Sequence, residues 1–142
     1  MHITFSEQHQ NLIQIGRGII DHAKENTPAS IAALAQARVA LSRAVQKHVK
    51  AELAMVDRNS AAAADPRLAA TMSKYHDELL AWQSLLMTCN GKWPLKAINE
   101  NPRGFIRDYR PIQQALEERV RWEEEFFYPY VLSTGHLAQS SV

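Results

Sequence analysis

Apolar residues recur at helical spacing along most of the chain, in four runs separated by short stretches of helix-stopping residues. The first run, Phe5, Leu12, Gly16, Ile19 and Ala23, comes after Thr4-x-x-Glu7. That capping-box pattern predicts a helix over about residues 5–25. Asn26-Thr27-Pro28 reads as a turn, with Thr27 as N-cap and Pro28 at the first helical position. A second helix is expected over about 28–57, through Leu34, Leu41, Val45, Val49 and Met55. Arg58-Asn59-Ser60 and an alanine run connect it to Asp65-Pro66, where the cap-then-proline signal repeats. The third helix then carries Met72, Leu79 and Leu86 to about Cys89, where Asn90-Gly91 stops it.

Residues 91–107 are less regular. Pro94 and Pro102 can each open a short helix, and Gly104 separates the second of these from the last long helix. This fourth long helix bears Tyr109, Ile112, Leu116, Val120, Phe126 and Tyr130 and ends near Leu132. Pro111 requires it either to start near Asp108 or to kink. Residues 133–142 are small and polar and are expected to form a frayed tail. The pattern as a whole predicts an all-α fold, an up-down-up-down antiparallel four-helix bundle. It forms one domain over 1–142 with its core at about 5–132.

Several polar residues interrupt the apolar stripes. His9 falls between Phe5 and Leu12, His48 and Glu52 lie among Leu41, Val45 and Met55, and His76 sits between Met72 and Leu79. Arg119 and Glu123 lie among Ile112, Leu116 and Phe126. A buried histidine or carboxylate costs free energy unless it is paired or binds a cation, so six such residues from all four helices call for a common partner. With a rise of about 1.5 Å per residue, their expected heights in a bundle allow one shared layer. The spacings also repeat. His9 to His76 is 67 positions, and both His48 to Arg119 and Glu52 to Glu123 are 71. Each half thus offers one helix with a single inward residue and one with an i, i+4 pair, whose members share a helical face.

Composition narrows the function classes. Of 142 residues, 46% are hydrophobic and 22% charged, the balance of a globular protein, and the formal charge of +1 argues against nucleic-acid binding. A single cysteine, Cys89, excludes an internal disulfide framework and a cysteine-rich metal site, and reads as structural. No apolar run approaches the ~18 residues of a membrane span, and the first residues lack the basic-then-apolar pattern of a secretory signal. The expected location is cytoplasmic. No HExxH, phosphate-binding loop or Glu-x-x-His pair occurs.

At the inward polar residues the chain resembles the hemerythrin-like (HHE cation-binding) domains. Their pattern, His…His-x-x-x-Glu…His…His-x-x-x-Glu, reads here as His9…His48-Val49-Lys50-Ala51-Glu52…His76…Arg119-Val120-Arg121-Trp122-Glu123. Tyr75-His76-Asp77-Glu78-Leu79 and the acidic, aromatic, proline-ended run Trp122 to Pro129 support the likeness, which covers about residues 5–132. The resemblance implies a non-haem di-iron site with terminal histidines and bridging carboxylates; with Arg119 at one histidine position, the iron expected is one or two ions. It implies metal binding rather than catalysis, with dioxygen or iron as the species bound or sensed. A protein partner or a second copy stays open. On this reading the metal residues are His9, His48, Glu52, His76 and Glu123.

The fourth histidine position holds Arg119, whose guanidinium is permanently charged and cannot be a ligand. This leaves two outcomes. The site holds a single cation or an asymmetric pair, or Arg119 replaces the metal by pairing with Glu52 and Glu123 in a metal-free interaction or regulatory module. His2, His22 and His136 belong to no stripe. Trp82, Trp93, Trp122, Phe126, Phe127, Tyr128 and Tyr130 read as packing residues.

Overall fold

A computed structural model describes residues 4–59 and 64–132. The alanine-rich connection and the tail expected beyond 132 lie outside the described residues. Within them the chain is all-helical, without strands. Helix α1 spans Phe5–Glu25, α2 Pro28–Arg58, α3 Pro66–Lys92, α4 Leu95–Glu100 and α5 Pro102–Trp122. A π-helical turn, Glu123–Phe127, extends α5, and residues 128–132 are again α-helical. No described helix is long and apolar enough to cross a membrane.

The helix starts reflect the local chemistry. The Thr4 side chain accepts from the Glu7 amide while the Glu7 carboxylate accepts from the Thr4 amide. Thr27 and Ser30 form the same reciprocal cap on α2, and Asp65 accepts from the Arg67 amide on α3. Asn26 closes α1 at φ 50°, a left-handed conformation that asparagine tolerates.

Between residues 91 and 111 the structure departs from the sequence expectation. Helix α3 continues through Gly91 to Lys92 and ends at Trp93, a buried residue whose indole N–H donates to Asp108 at 2.8 Å. Pro102 opens the long helix α5 itself, capped by Asn101 on the Gly104 amide, and α5 runs on through Pro111. Gly104 is therefore a first-turn residue of α5, not a separator. Its lack of a side chain lets the Trp93 ring approach: a Cβ there would lie 2.7 Å from that ring and 2.5 Å from the Asn101 amide nitrogen. Gly16 serves the same purpose between α1 and α5, where a Cβ would collide with the Gln113 side chain.

Helix α1 packs on α2 and α5, α3 packs on α5, and α4 packs on α2 and α5. Two apolar clusters result. The larger contains Leu12, Ile19, Leu34, Leu41, Trp82, Phe105 and Leu116, and the smaller contains Met55, Val56, Leu68, Phe127, Tyr128 and Val131. His9, His48, Glu52 and Glu123 are buried at the helix positions between the two.

Candidate metal centre

Each helix delivers its polar residue for a definable reason. On α1, His9 comes four positions after Phe5 and three before Leu12, so burying that stripe buries His9, which is 1% exposed. On α2, His48 and Glu52 share a face with Val45 and Met55 and are equally enclosed. Glu123 opens the π turn. A turn with i→i+5 hydrogen bonds slips the register of the segment by one residue. The expected inward series 119, 123, 126, 130 becomes Val120, Glu123, Phe127 and Val131. Phe126 and Tyr130 are correspondingly exposed. The slip also turns Tyr128 inward, toward Glu123.

One ligand atom from each of His9, His48, Glu52 and Glu123 lies within 4.8 Å of the others. Glu123 Oε1 is 2.9 Å from His9 Nε2 and 2.9 Å from His48 Nε2, and the two Nε2 atoms are 3.1 Å apart. Glu52 Oε1 lies 3.2 Å from His48 Nε2. The outer ring nitrogens are held from behind. His9 Nδ1–H donates to Glu124 Oε1 at 2.9 Å, and His48 Nδ1–H donates to Gln8 Oε1 at 2.7 Å. In a neutral imidazole these bonds leave both Nε2 lone pairs facing the cluster, the tautomer and orientation that metal-binding histidines require.

Hydrogens are scarce inside the cluster. The two Nε2 atoms and the carboxylate oxygens of Glu52 and Glu123 are all acceptors. Tyr75 donates its hydroxyl hydrogen to Glu52 Oε2, and Tyr128 donates to Glu52 Oε1 at 2.6 Å. Nothing else in the inner group supplies a hydrogen between Glu123 Oε1 and the two Nε2 atoms unless a histidine is protonated. Acceptors converging in a buried space need a cation, either a proton or a metal ion. In metal-free protein the cluster's charge favours protonation of His48. Burial disfavours the imidazolium, but hydrogen bonds and charge from Glu123 and Glu52 outweigh that and raise it to about 9. Burial likewise raises Glu52, the neighbouring Glu123 adding to it. Glu123 is also opposed by burial, yet bonds from His48 and His9 hold it below the usual carboxylate range.

The donor set fits a metal ion. Imidazole nitrogens and carboxylate oxygens suit iron, zinc or manganese. Adjacent ligands on one ion with bonds of about 2.1 Å stand about 3 Å apart, which is the spacing between neighbouring donors here. Beside His48 and Glu123 is a cavity of ≈ 20 Å³, bounded also by Arg119 and by apolar Leu12, Leu79 and Leu116. A volume above ~10–15 Å³ admits one water-sized molecule.

Two sequence expectations require correction. His76 does not join the cluster; it is exposed, and its neighbour Tyr75 is buried in its place. The buried stripe of α3 is Leu68, Tyr75, Leu79, Trp82, Leu86 and Cys89, which puts position 76 about 100° away from the face that carries Tyr75. Arg119 does lie beside the cluster, but it does not bridge both carboxylates. Its Nε is 3.6 Å from Glu123 Oε2, its Nη1 3.6 Å from Glu78 Oε2, and its Nη2 donates to the Tyr75 carbonyl at 2.8 Å. The guanidinium lies 4.0 Å from the centre of the Tyr75 ring. Glu52 is held by the two phenols instead.

Tyr75, Tyr128, Gln8 and Glu124 bond directly to the cluster and were missed by sequence reasoning. A usable signal existed for the tyrosines, because a buried phenol needs a polar partner, whereas Phe127 does not. Comparison with protein-family models, with curated proteins and with solved structures finds no match to this chain.

Proposed function

We propose that this protein is a hemerythrin-like metal-binding protein, an up-down-up-down four-helix bundle that holds iron between His9, His48, Glu52 and Glu123. The supporting observation is the convergence of four acceptor atoms within 4.8 Å, with both histidines held through Nδ1 so that their Nε2 lone pairs face inward. All four donors fit around a single point, which favours one ion over a pair. Arg119 supplies a permanent positive charge on the Glu123 Oε2 side, where a second cation would otherwise balance the carboxylate. Bound iron would supply a redox-active Lewis acid, and the adjacent cavity admits one water-sized molecule. Gln8 and Glu124 hold the imidazoles in place, while Tyr75 and Tyr128 keep Glu52 oriented. The role is binding or sensing rather than turnover.

The test is direct. Protein loaded with Fe²⁺ and desalted should retain about one ion per chain, and Fe²⁺ or Zn²⁺ should raise the melting temperature. Substoichiometric metal and an unchanged melting temperature would overturn the reading.

A second reading draws on Arg119. Its pairing with Glu123 and Glu78, together with a protonated His48, balances the buried charge without metal and suits a metal-free interaction module. On this reading Arg119→Ala destabilises the protein by about 1–3 kcal/mol whether or not iron is present. On the metal reading saturating iron removes most of that loss.

A further inference from the structure

The Tyr128 hydroxyl oxygen lies 2.6 Å from Glu52 Oε1, 2.9 Å from His9 Nε2, 2.9 Å from Glu123 Oε1 and 3.3 Å from His48 Nε2. A phenol that only satisfies a buried acceptor needs one such approach. Tyr75 illustrates that simpler role, reaching Glu52 through Oε2. Tyr109 and Tyr130 bond elsewhere, to Gln113 and Asp65. The Tyr128 oxygen instead touches every donor of the cluster at the spacing of neighbouring ligands on one ion. Its ring is fixed there by stacking on Phe5 at 4.8 Å and on His9 at 5.5 Å.

We propose that Tyr128 is the fifth protein ligand of the centre and that the completed set, His9, His48, Glu52, Glu123 and Tyr128, selects ferric iron. The proposal rests on the metal-binding reading above and adds the identity of the ion. Two carboxylates and a phenolate are hard oxygen donors carrying three negative charges, which match a trivalent ion, while Arg119 beside Glu123 and Glu124 behind His9 offset each other at the edge of the site. A divalent ion is already balanced by the two carboxylates and leaves Tyr128 a protonated hydrogen-bond donor. On ferric binding the Tyr128 O–H bond breaks and an O–Fe bond forms. The proton leaves to the buffer and no atom changes oxidation state, because the iron arrives as Fe³⁺.

The experiment adds ferric nitrilotriacetate, and in parallel Zn²⁺, to the purified full chain, with subsequent desalting, iron analysis, visible absorption and resonance Raman spectroscopy. About one ferric ion per chain is expected, coloured by tyrosinate-to-iron charge transfer and showing phenolate vibrations, while the zinc form is colourless. Tyr128→Phe should lose the colour and the vibrations and hold iron about tenfold or more weakly. Tyr75→Phe should keep both spectral features even if its affinity falls, and it decides the matter should Tyr128→Phe fail to fold. Retained iron without phenolate vibrations, or vibrations lost in Tyr75→Phe rather than Tyr128→Phe, overturns this inference and leaves the metal-binding reading standing. Failure to retain ferric iron while zinc is held overturns this inference alone, and failure to retain either ion overturns both.

Discussion

Tyr128 and Glu123 stand five residues apart, and the Tyr128 hydroxyl lies 2.9 Å from Glu123 Oε1. In a regular α-helix, at about 100° per residue, side chains five apart diverge by about 140°. The π turn at Glu123–Phe127 brings them onto one face. The same turn places Glu123 on Nε2 of His9 and Glu124 on Nδ1 of that ring. Two consecutive carboxylates thus grip opposite edges of one imidazole.

The exposed position of His76 separates it from the site. His76→Ala is expected to leave iron stoichiometry unchanged and to shift stability by no more than about 0.5 kcal/mol, while His9→Ala abolishes stoichiometric binding. Metal analysis of the two variants side by side checks this. Loss of metal in His76→Ala would restore the role expected from sequence.

Glu52 separates stability from binding. Its carboxylate is fully enclosed and accepts from two phenols, so Glu52→Gln removes a buried charge while keeping shape; the new amide NH2 group then donates to one phenol oxygen, and Tyr128 can donate to Glu123 Oε1 instead. Metal-free protein should change by about 1 kcal/mol or less, whereas affinity for Fe²⁺ or Zn²⁺ should fall by about a hundredfold. Urea unfolding and isothermal titration measure the two quantities independently.

Metal-free protein should become less stable as pH rises from near neutrality. His48 is raised on folding from 6.5 to about 9, so its contribution is complete below the unfolded value and disappears as pH climbs through the folded one. Glu52, raised by burial, acts with the same sign. Glu123 is lowered, so its contribution is present at neutral pH and is lost only in acid. Urea midpoints taken with a chelator should fall between about pH 6.5 and 9, by roughly 1–3 kcal/mol. Saturating metal should flatten that slope, because the ion replaces the His48 proton, and metal affinity should rise over the same interval.

Gly104 provides a control remote from the candidate metal centre. Gly104→Ala forces a methyl group against the Trp93 ring and the Asn101 cap, so a loss of about 1–3 kcal/mol is expected, with metal stoichiometry unchanged. Thermal unfolding and metal analysis of the same preparation test both halves.

How far the sequence was legible depended on which physical rule governed each residue. Helix starts at Thr4, Thr27 and Asp65 are local events between a side chain and nearby amides, and all three stand where the sequence puts them. Gly91 misleads, because glycine weakens a helix without forbidding it and α3 continues to Lys92, whereas of the two outcomes Pro111 left open the structure excludes a start near Asp108. His9, His48, Glu52 and Glu123 are detectable because they interrupt regular apolar stripes. His76 is misplaced by one position, since Met72-x-x-x-His76 and Leu68 to Tyr75 are both helical spacings and only the packing of α3 on α5 decides between them. Tyr128 is out of reach of a period of 3.6 residues. The wider turn that aims it inward is a tertiary outcome, favoured by burial of Phe127 and Val131.

Glu123, Glu124 and Tyr128 fall within six consecutive residues and provide three of the groups that surround His9. Unwinding this one short stretch would remove two of the five proposed ligands, Glu123 and Tyr128, together with the Glu124 bond behind His9, while leaving the larger apolar cluster intact. If the centre holds an ion as proposed, its release can proceed through a brief local opening without global denaturation, and its exchange should track amide protection at 123–128.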